Sequence, residues 1–145
     1  MSDAMTKSVR ATGGCLCGAV RYEVTGPMRP VVGCHCEQCR RTSGHFVAAT
    51  AARHADFRLV KSEALRWYRS SPEARRGFCG ECGGNLFWEP EDRRHISITA
   101  GSLDRPTGLS LVGHLFADAA DDYYRIADGL TEFPGGDHDV KIPAE

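Results

Sequence analysis

Apolar and polar residues alternate along much of the chain, and this period of two is typical of half-buried β-strands. In the segment AVRYEV, which begins at residue 19, Val20, Tyr22 and Val24 share one face of an extended chain, and charged residues occupy the other. Six further segments, separated by Gly, Pro, Asp or Ser, also fit strands: 45–51, 57–60, 65–69, 85–88, 95–99 and 110–116. The pattern predicts a mostly β chain built from many short strands.

Helical character is confined to one short segment. The residues EQCRR follow Cys36 and precede the breaker Ser43-Gly44, so a single helical turn is predicted there. Cys36 and Cys39 are three residues apart and would lie on the same side of that turn, with Cys34 approaching from the preceding extended segment. The pattern therefore predicts a group of three thiols within one loop.

The bulk composition fits one domain and argues against nucleic-acid binding. The chain has 145 residues, of which 41% are apolar, and this suffices for a single hydrophobic core. Its formal net charge is −1 with both signs interspersed, so it lacks the basic field that nonspecific nucleic-acid binding requires. We predict a flexible tail over residues 1–10, a single domain over 11–133 and a surface tail over 134–145.

The sequence contains no pattern that would direct the chain to or through a membrane. Its longest run without charged or strongly polar residues, 46–52, falls far short of the roughly 20 residues of a spanning helix. Residues 1–10 lack the apolar stretch and cleavage site of a secretory signal. We therefore expect a cytoplasmic protein without membrane partners, and the sequence makes no prediction about its oligomeric state.

All seven cysteines fall in three clusters: Cys15 and Cys17; Cys34, Cys36 and Cys39; Cys79 and Cys82. A structural zinc site is closed by four protein ligands, whereas a catalytic site keeps three and leaves one position open. We favour a closed site formed by the first and third clusters and an open site formed by the middle cluster. The middle cysteines lie too close in sequence to be divided between two metals, and this partition uses every thiol.

Other uses of the cysteines stay open at this point. Cys36 and Cys39 could join Cys79 and Cys82 as a zinc ribbon, and spacing alone does not exclude that pairing. Disulfides are disfavoured because the cysteine count is odd and the expected compartment is reducing. Zinc is favoured by ligand softness, and an iron–sulfur cluster is the competitor because every ligand is sulfur.

Several segments carry a family resemblance. They are GGCLCGAVRYEV from residue 13, CHCEQCRRTSG from residue 34, FCGECGGNLFW from residue 78, GHLF from residue 113 and DGL from residue 128. Together they resemble the family of glutathione-dependent formaldehyde-activating enzymes and centromere protein V, over most of the chain. The family often carries Trp where this chain has Tyr123 or Tyr124.

The resemblance implies both a fold and a set of metal ligands. The implied fold is a single domain of β-tent-like antiparallel sheets held by zinc. The resemblance assigns a structural zinc to Cys15, Cys17, Cys79 and Cys82, and a second, catalytic-type zinc to Cys34, Cys36 and Cys39. This assignment agrees with the partition favoured by ligand counting and implies two Zn²⁺ ions per chain.

The resemblance also implies an activity, the combination of glutathione with formaldehyde to give S-hydroxymethylglutathione, classed as a carbon–sulfur lyase for the reverse reaction. A zinc ion with three thiolate ligands can accept a fourth thiolate beside a small carbonyl. Our first hypothesis is a zinc enzyme that combines a glutathione-like thiol with formaldehyde or another small aldehyde. The alternative is a noncatalytic binding module in which both metals are structural.

A few residues beyond the cysteines are candidates for the site. His35, inside the ligand loop, is the candidate proton donor, and the alternatives are capping of the loop or a hydrogen bond to a ligand sulfur. His45 and His114 are further candidates for which packing is the simpler interpretation. Arg40 and Arg41 could bind the carboxylates of a glutathione-like substrate, or could form a solvated pair at the helix end.

Overall fold

The computed structural model describes residues 7–145, and these form two β-sheets, one short α-helix and three single-turn 3₁₀ helices at His54–Asp56, Ala100–Ser102 and Ala117–Ala119. Residues 1–6 of the predicted N-terminal tail lie outside the described residues. The strands are β1 (Ala11–Gly14), β2 (Arg21–Val24), β3 (Val31–Cys34), β4 (Val47–Ala52), β5 (Phe57–Lys61), β6 (Leu65–Ser71), β7 (Ala74–Cys79), β8 (Asn85–Pro90), β9 (Ile96–Thr99), β10 (Leu111–Leu115) and β11 (Thr131–Glu132). The helix, α1, spans Glu37–Ser43.

The two sheets are mostly antiparallel. The smaller has the order β1-β2-β5, and the larger has the order β11-β10-β3-β4-β9-β8-β7-β6. β10 is the exception, because it runs parallel to both of its neighbours, β3 and β11. The prediction of a mostly β fold is confirmed, with a mixed rather than purely antiparallel larger sheet.

The alternating segments predicted as strands are all strands in the structure. They correspond to β2, β4, β5, β6, β8, β9 and β10. The sequence pattern misses β1, β3, β7 and β11. β3 is buried at Val31, Val32 and Gly33 in succession and so shows no alternation, and β7 carries two adjacent arginines.

The core lies where the two sheets pack together. Val20, Tyr22 and Val24 are at most 1% exposed, as their alternation predicts. Tyr22 meets Phe87 of the larger sheet edge to face, with ring centroids 5.4 Å apart. A Cβ at Gly13 would collide with the Tyr22 hydroxyl, so this close approach of β1 requires glycine. The loop after β1, which carries Cys15 and Cys17, is thereby held against the core.

The short helix has both of its ends fixed by the residues that the sequence pattern identified. Cys36 is the N-cap, and its sulfur accepts a hydrogen bond from the backbone N–H of Cys39 at 3.4 Å. Gly44 ends the helix at φ 87°, in the left-handed region, and its N–H donates to the Arg40 carbonyl at 2.8 Å. The predicted helical turn is confirmed.

Candidate metal centres

The fold brings the seven cysteines together as two groups of sulfur atoms. In each group the ligand atoms lie within 4.8 Å of one another. One group consists of Cys15, Cys17, Cys79 and Cys82, and the other of Cys34, Cys36 and Cys39. All seven are free thiols. The structure thus groups them four and three, and either cluster could hold a metal ion.

The four-cysteine cluster joins two distant parts of the chain. Cys15 and Cys17 lie in the loop between β1 and β2, whereas Cys79 ends β7 and Cys82 lies in the turn before β8. The sulfur of Cys17 is 3.7 Å from that of Cys15 and 3.8 Å from that of Cys79. Around a tetrahedral zinc with Zn–S bonds of about 2.3 Å, neighbouring sulfurs lie about 3.8 Å apart. The donor set and its spacing therefore fit zinc.

Backbone N–H groups surround the sulfurs of this cluster. Val20 donates to the Cys15 sulfur at 3.2 Å, and Glu81 and Cys82 donate to the Cys79 sulfur at 3.3 and 3.4 Å. Hydrogen bonds from the N–H groups of Cys17 and Gly84 lower the pKa of Cys82 to about 6. These uncharged donors favour thiolates, which are the form that binds a metal.

The three-cysteine cluster is local in sequence, as predicted. Cys34 is the last residue of β3, Cys36 caps α1, and Cys39 lies one turn into the helix. Hydrogen bonds from the thiols of Cys34 and then Cys39 hold the pKa of Cys36 well below its ordinary value. Cys39 is buried, while Cys34 and Cys36 are half-buried. Three soft donors in one loop fit a zinc ion with one position free for another ligand.

Arg76 contacts this cluster, and sequence analysis did not identify it. It lies on β7 with 7% exposure, and its Nη2 is 3.6 Å from the Cys39 sulfur. The same guanidinium donates to Oε1 of Gln38 from Nε and Nη2, at 3.4 and 3.3 Å. Gln38 in turn donates from Nε2 to the Ser70 carbonyl at 3.1 Å. No motif includes Arg76, so the sequence carries no signal for it.

His35 links the three-cysteine loop to a buried chain of hydrogen bonds. Its Nε2 lies 2.9 Å from Nδ1 of His114, and Nε2 of His114 lies 2.7 Å from Oδ2 of Asp128. Both rings are at most 3% exposed. A carboxylate only accepts, so neutral His114 donates from Nε2 and accepts at Nδ1 from the Nε2–H of His35. The segments GHLF and DGL therefore contact each other, and neutral His35 keeps an unprotonated Nδ1.

Asp128 is held ionised at the outer end of this chain. The hydrogen bond from His114, followed by that from the backbone N–H of Leu130 at 3.0 Å, keeps the pKa of its carboxyl below the ordinary value. Tyr124 stacks on His35 with ring centroids 6.0 Å apart. The hydroxyl of Tyr123 lies 2.9 Å from Nδ1 of His45. His45 thus contacts the segment that covers His35.

The arginines that follow Cys39 are engaged with acidic residues. Arg41 pairs with Glu37 one turn earlier, at 3.0 Å on the exposed face of α1. Arg40 is half-buried, with Nη1 3.6 Å from a carboxylate oxygen of Asp121. Both pairings leave the guanidinium groups partly exposed and compatible with a second acidic partner.

A cleft of about 650 Å³ runs between the two cysteine regions. Cys15 and Gly84 line it on the side of the four-cysteine cluster. Thr42 and Ser43, at the end of α1, and Phe46 line it on the side of the three-cysteine cluster. Of the seven cysteines, all within the described residues, Cys15 alone lines the cleft. The cleft therefore approaches the three-cysteine cluster through the end of its helix.

These features define a β domain with two sulfur-rich centres, and comparison with protein families identifies the class. The family model described as glutathione-dependent formaldehyde-activating enzyme matches residues 10–119. The chain belongs to this family, and the resemblance read from the cysteine motifs is confirmed.

The chain is also similar to individual proteins. An uncharacterised lyase of Schizosaccharomyces pombe is 32% identical over 77 residues, which are 52% of this chain and 55% of that protein. The chain thus spans about half the length of this curated relative. A crystal structure of a Rhodobacter sphaeroides protein shares 28% identity with a TM-score of 0.56, covering 67% of this chain and 91% of that one.

None of the helices within residues 7–145 is long and apolar enough to cross a bilayer.

Proposed function

We propose that the protein is a zinc-dependent carbon–sulfur lyase that combines a glutathione-like thiol with formaldehyde or another small aldehyde. The observation that carries this proposal is the unequal grouping of the cysteines, four in one cluster and three in the other. A closed four-sulfur site has no position for a substrate, whereas a three-sulfur site does. Family membership over residues 10–119 supports the same chemistry.

Each cluster has a distinct proposed role. Cys15, Cys17, Cys79 and Cys82 would hold a structural zinc, and Cys34, Cys36 and Cys39 would hold the reactive one. When bound in the second cluster, zinc supplies a soft cation that favours the thiolate form of a substrate thiol and polarises a nearby carbonyl. The protein's other task is to bind and orient the two substrates.

Ionisation of the thiol alone accounts for little acceleration. A thiol with a pKa of about 8.5 is about 3% thiolate at pH 7, so complete ionisation gains at most about 30-fold, or about 2 kcal/mol. The nucleophilicity of a thiolate also falls with its pKa. Useful catalysis must therefore come from positioning, which in favourable cases supplies several kcal/mol more.

The cleft is the proposed site for the body of the thiol substrate. Its volume of about 650 Å³ lies within the range of about 300–1,000 Å³ for small-molecule sites. Thr42 and Ser43 line it at the end of the helix that carries Cys39. Arg40 lies near that end, where its partial exposure would let it bind a substrate carboxylate.

His35 acts in this proposal through the structure of the ligand loop. Its Nε2 is bound to His114, so Nδ1 is the atom left for a proton or a second hydrogen bond. The hydrogen-bonded chain from Asp128 fixes the ring between Cys34 and Cys36 and so holds both thiols in place.

Product formation from glutathione and formaldehyde, measured by NMR against the uncatalysed rate, tests the proposal. We expect the zinc-loaded protein to exceed the background and Cys36→Ala to fall to it. Arg69→Met is the matched control, because Arg69 is exposed on β6 and pairs with Glu91 at 3.2 Å. Equal rates for the wild type and Cys36→Ala would rule the enzyme out.

Metal release distinguishes the enzyme from a noncatalytic module with two structural metals. An open site should give up its ion to a mild chelator while the four-cysteine site keeps its own. Release of about one ion in two, with unchanged circular dichroism, is the expected result. Retention of both ions would favour the module.

A further inference from the structure

Arg76 is a buried cation without an acidic partner in the described part of the chain. Arginine stays charged at any physiological pH, and a buried charge is costly unless an opposite charge compensates it. None of the ion pairs formed within residues 7–145 includes Arg76. The sulfur of Cys39, which becomes a thiolate when it binds zinc, lies 3.6 Å from Nη2 of Arg76.

The guanidinium is held in that position by its other contacts. Gln38 accepts from Nε and Nη2 of Arg76, at 3.4 and 3.3 Å. The amide cannot turn over without losing the bond from its Nε2 to the Ser70 carbonyl at 3.1 Å. Arg76 is therefore oriented toward the three-cysteine cluster before any ligand arrives, so no reorganisation is required on binding.

The charge of the site shows what this orientation does. Three thiolates and a divalent cation carry a net charge of −1, which the guanidinium of Arg76 brings to zero. A neutral fourth ligand leaves that balance unchanged, whereas a thiolate adds a negative charge that the guanidinium attracts. We propose that Arg76 is a specificity-determining residue, which makes the three-cysteine site prefer an anionic sulfur ligand over a neutral one. This inference rests on the proposed function.

Ligand binding to the cobalt-substituted protein measures this preference without an activity assay. Cobalt(II) in thiolate sites absorbs in the visible range, and the four-cysteine site contributes a constant background to difference spectra. 2-Mercaptoethanol is the anionic probe and imidazole is the neutral probe. We expect Arg76→Met to lower the affinity for 2-mercaptoethanol about tenfold or more. The affinity for imidazole should change by less than about threefold.

Two further variants separate charge from shape. Arg76→Lys retains the charge and should restore most of the preference for the thiol. Arg76→Gln is neutral, can still hydrogen-bond Gln38, and should lose the preference as Arg76→Met does. Arg76→Gln also replaces Arg76→Met as the neutral variant if Arg76→Met does not fold. Arg69→Met removes an exposed arginine of the adjacent strand and should behave as the wild type.

The outcomes distinguish this inference from the proposed function. If Arg76→Met or Arg76→Gln lowers the affinity for both probes equally, Arg76 only supports the structure of the loop and the inference is wrong. If wild type and variants bind the thiol alike, the inference is wrong and the lyase proposal stands. If the wild type binds no thiol at all, both are overturned.

Discussion

The two cysteine clusters differ in how the fold assembles them and in what surrounds their sulfurs. The four-cysteine cluster joins the β1–β2 loop to the end of β7, and its sulfurs accept hydrogen bonds from backbone N–H groups. The three-cysteine cluster lies within one loop and one helical turn, beside the guanidinium of Arg76. One cluster is therefore built into the tertiary structure, and the other is presented by a local segment.

This difference indicates how a single small domain can separate stability from chemistry. Loss of the first cluster would release β1 and β2 from the larger sheet, because Cys17 and Cys79 lie 62 residues apart in sequence. Loss of the second would free only the segment between β3 and β4. Charged and titratable side chains gather at the second cluster, where three thiols would leave one ligand position of a zinc ion free.

The largest expected effect is the loss of stability when a ligand of the four-cysteine cluster is removed. Cys82→Ser should prevent stable folding, because structural zinc contributes about 10–16 kcal/mol in small domains, comparable with a total stability of about 5–15 kcal/mol. Cys36→Ser should remain folded with one zinc per chain. Far-UV circular dichroism and metal content check both variants. A normally stable Cys82→Ser protein would contradict the structural role of this cluster.

The sequence predicts the cysteine partition better than it predicts what surrounds each cluster. Thiols clustered beside glycine have few explanations other than metal binding, and counting favours groups of four and three, although spacing alone leaves a zinc ribbon open. The alternation around Tyr22 likewise identifies a strand and its buried face. These features depend on neighbours in sequence, where residue types and periodicity are informative.

The contacts of Arg76 and Asp128 depend on tertiary structure instead. Arg76 reaches Cys39 across 37 residues, from a strand whose paired arginines hide its alternation. His35 and His114 are 79 residues apart, and their motifs indicate neither the contact nor its direction. The sequence also favours Arg40 and Arg41 because they adjoin Cys39, whereas the arginine that contacts its sulfur comes from another strand.

A smaller effect should distinguish the clusters through the hydrogen-bonded histidines. His114→Phe keeps the ring volume but removes the bonds to His35 and Asp128, so the Cys34–Cys36 loop loses its support. We expect the metal at the three-cysteine cluster to bind about tenfold less tightly. Losses of this size are typical when the hydrogen-bond partners that orient metal ligands are removed. Competition with a chromophoric chelator measures this affinity.

The control for this experiment is an acidic residue remote from both clusters. Asp92→Asn removes an exposed carboxylate that pairs with Arg94 at 2.7 Å, and it should leave both metal affinities unchanged. If His114→Phe loosened both metals equally, the histidine chain would serve the whole domain rather than the three-cysteine loop.

The smallest effect concerns acid sensitivity that belongs to neither cluster. Burial, followed by repulsion from Arg94, lowers the pKa of His95 to about 4 from an ordinary 6.5. The unfolded chain therefore binds the extra proton between pH 6.5 and 4, so this stability is present above pH 6.5 and is lost as the pH falls toward 4. At pH 5 the free energy of unfolding would be lower by about 2 kcal/mol without solvent screening, or by about 1 kcal/mol when screening is allowed for.

His95→Gln isolates this contribution from proton competition at the cysteines. Glutamine does not titrate, so the stability of the variant relative to the wild type should rise by about 1 kcal/mol between pH 7.5 and pH 5. Urea denaturation at both pH values, with saturating zinc, provides the measurement. A constant difference between the two proteins would show that His95 contributes nothing to the acid sensitivity, and comparison of the two clusters by acid titration would then need no correction for this residue.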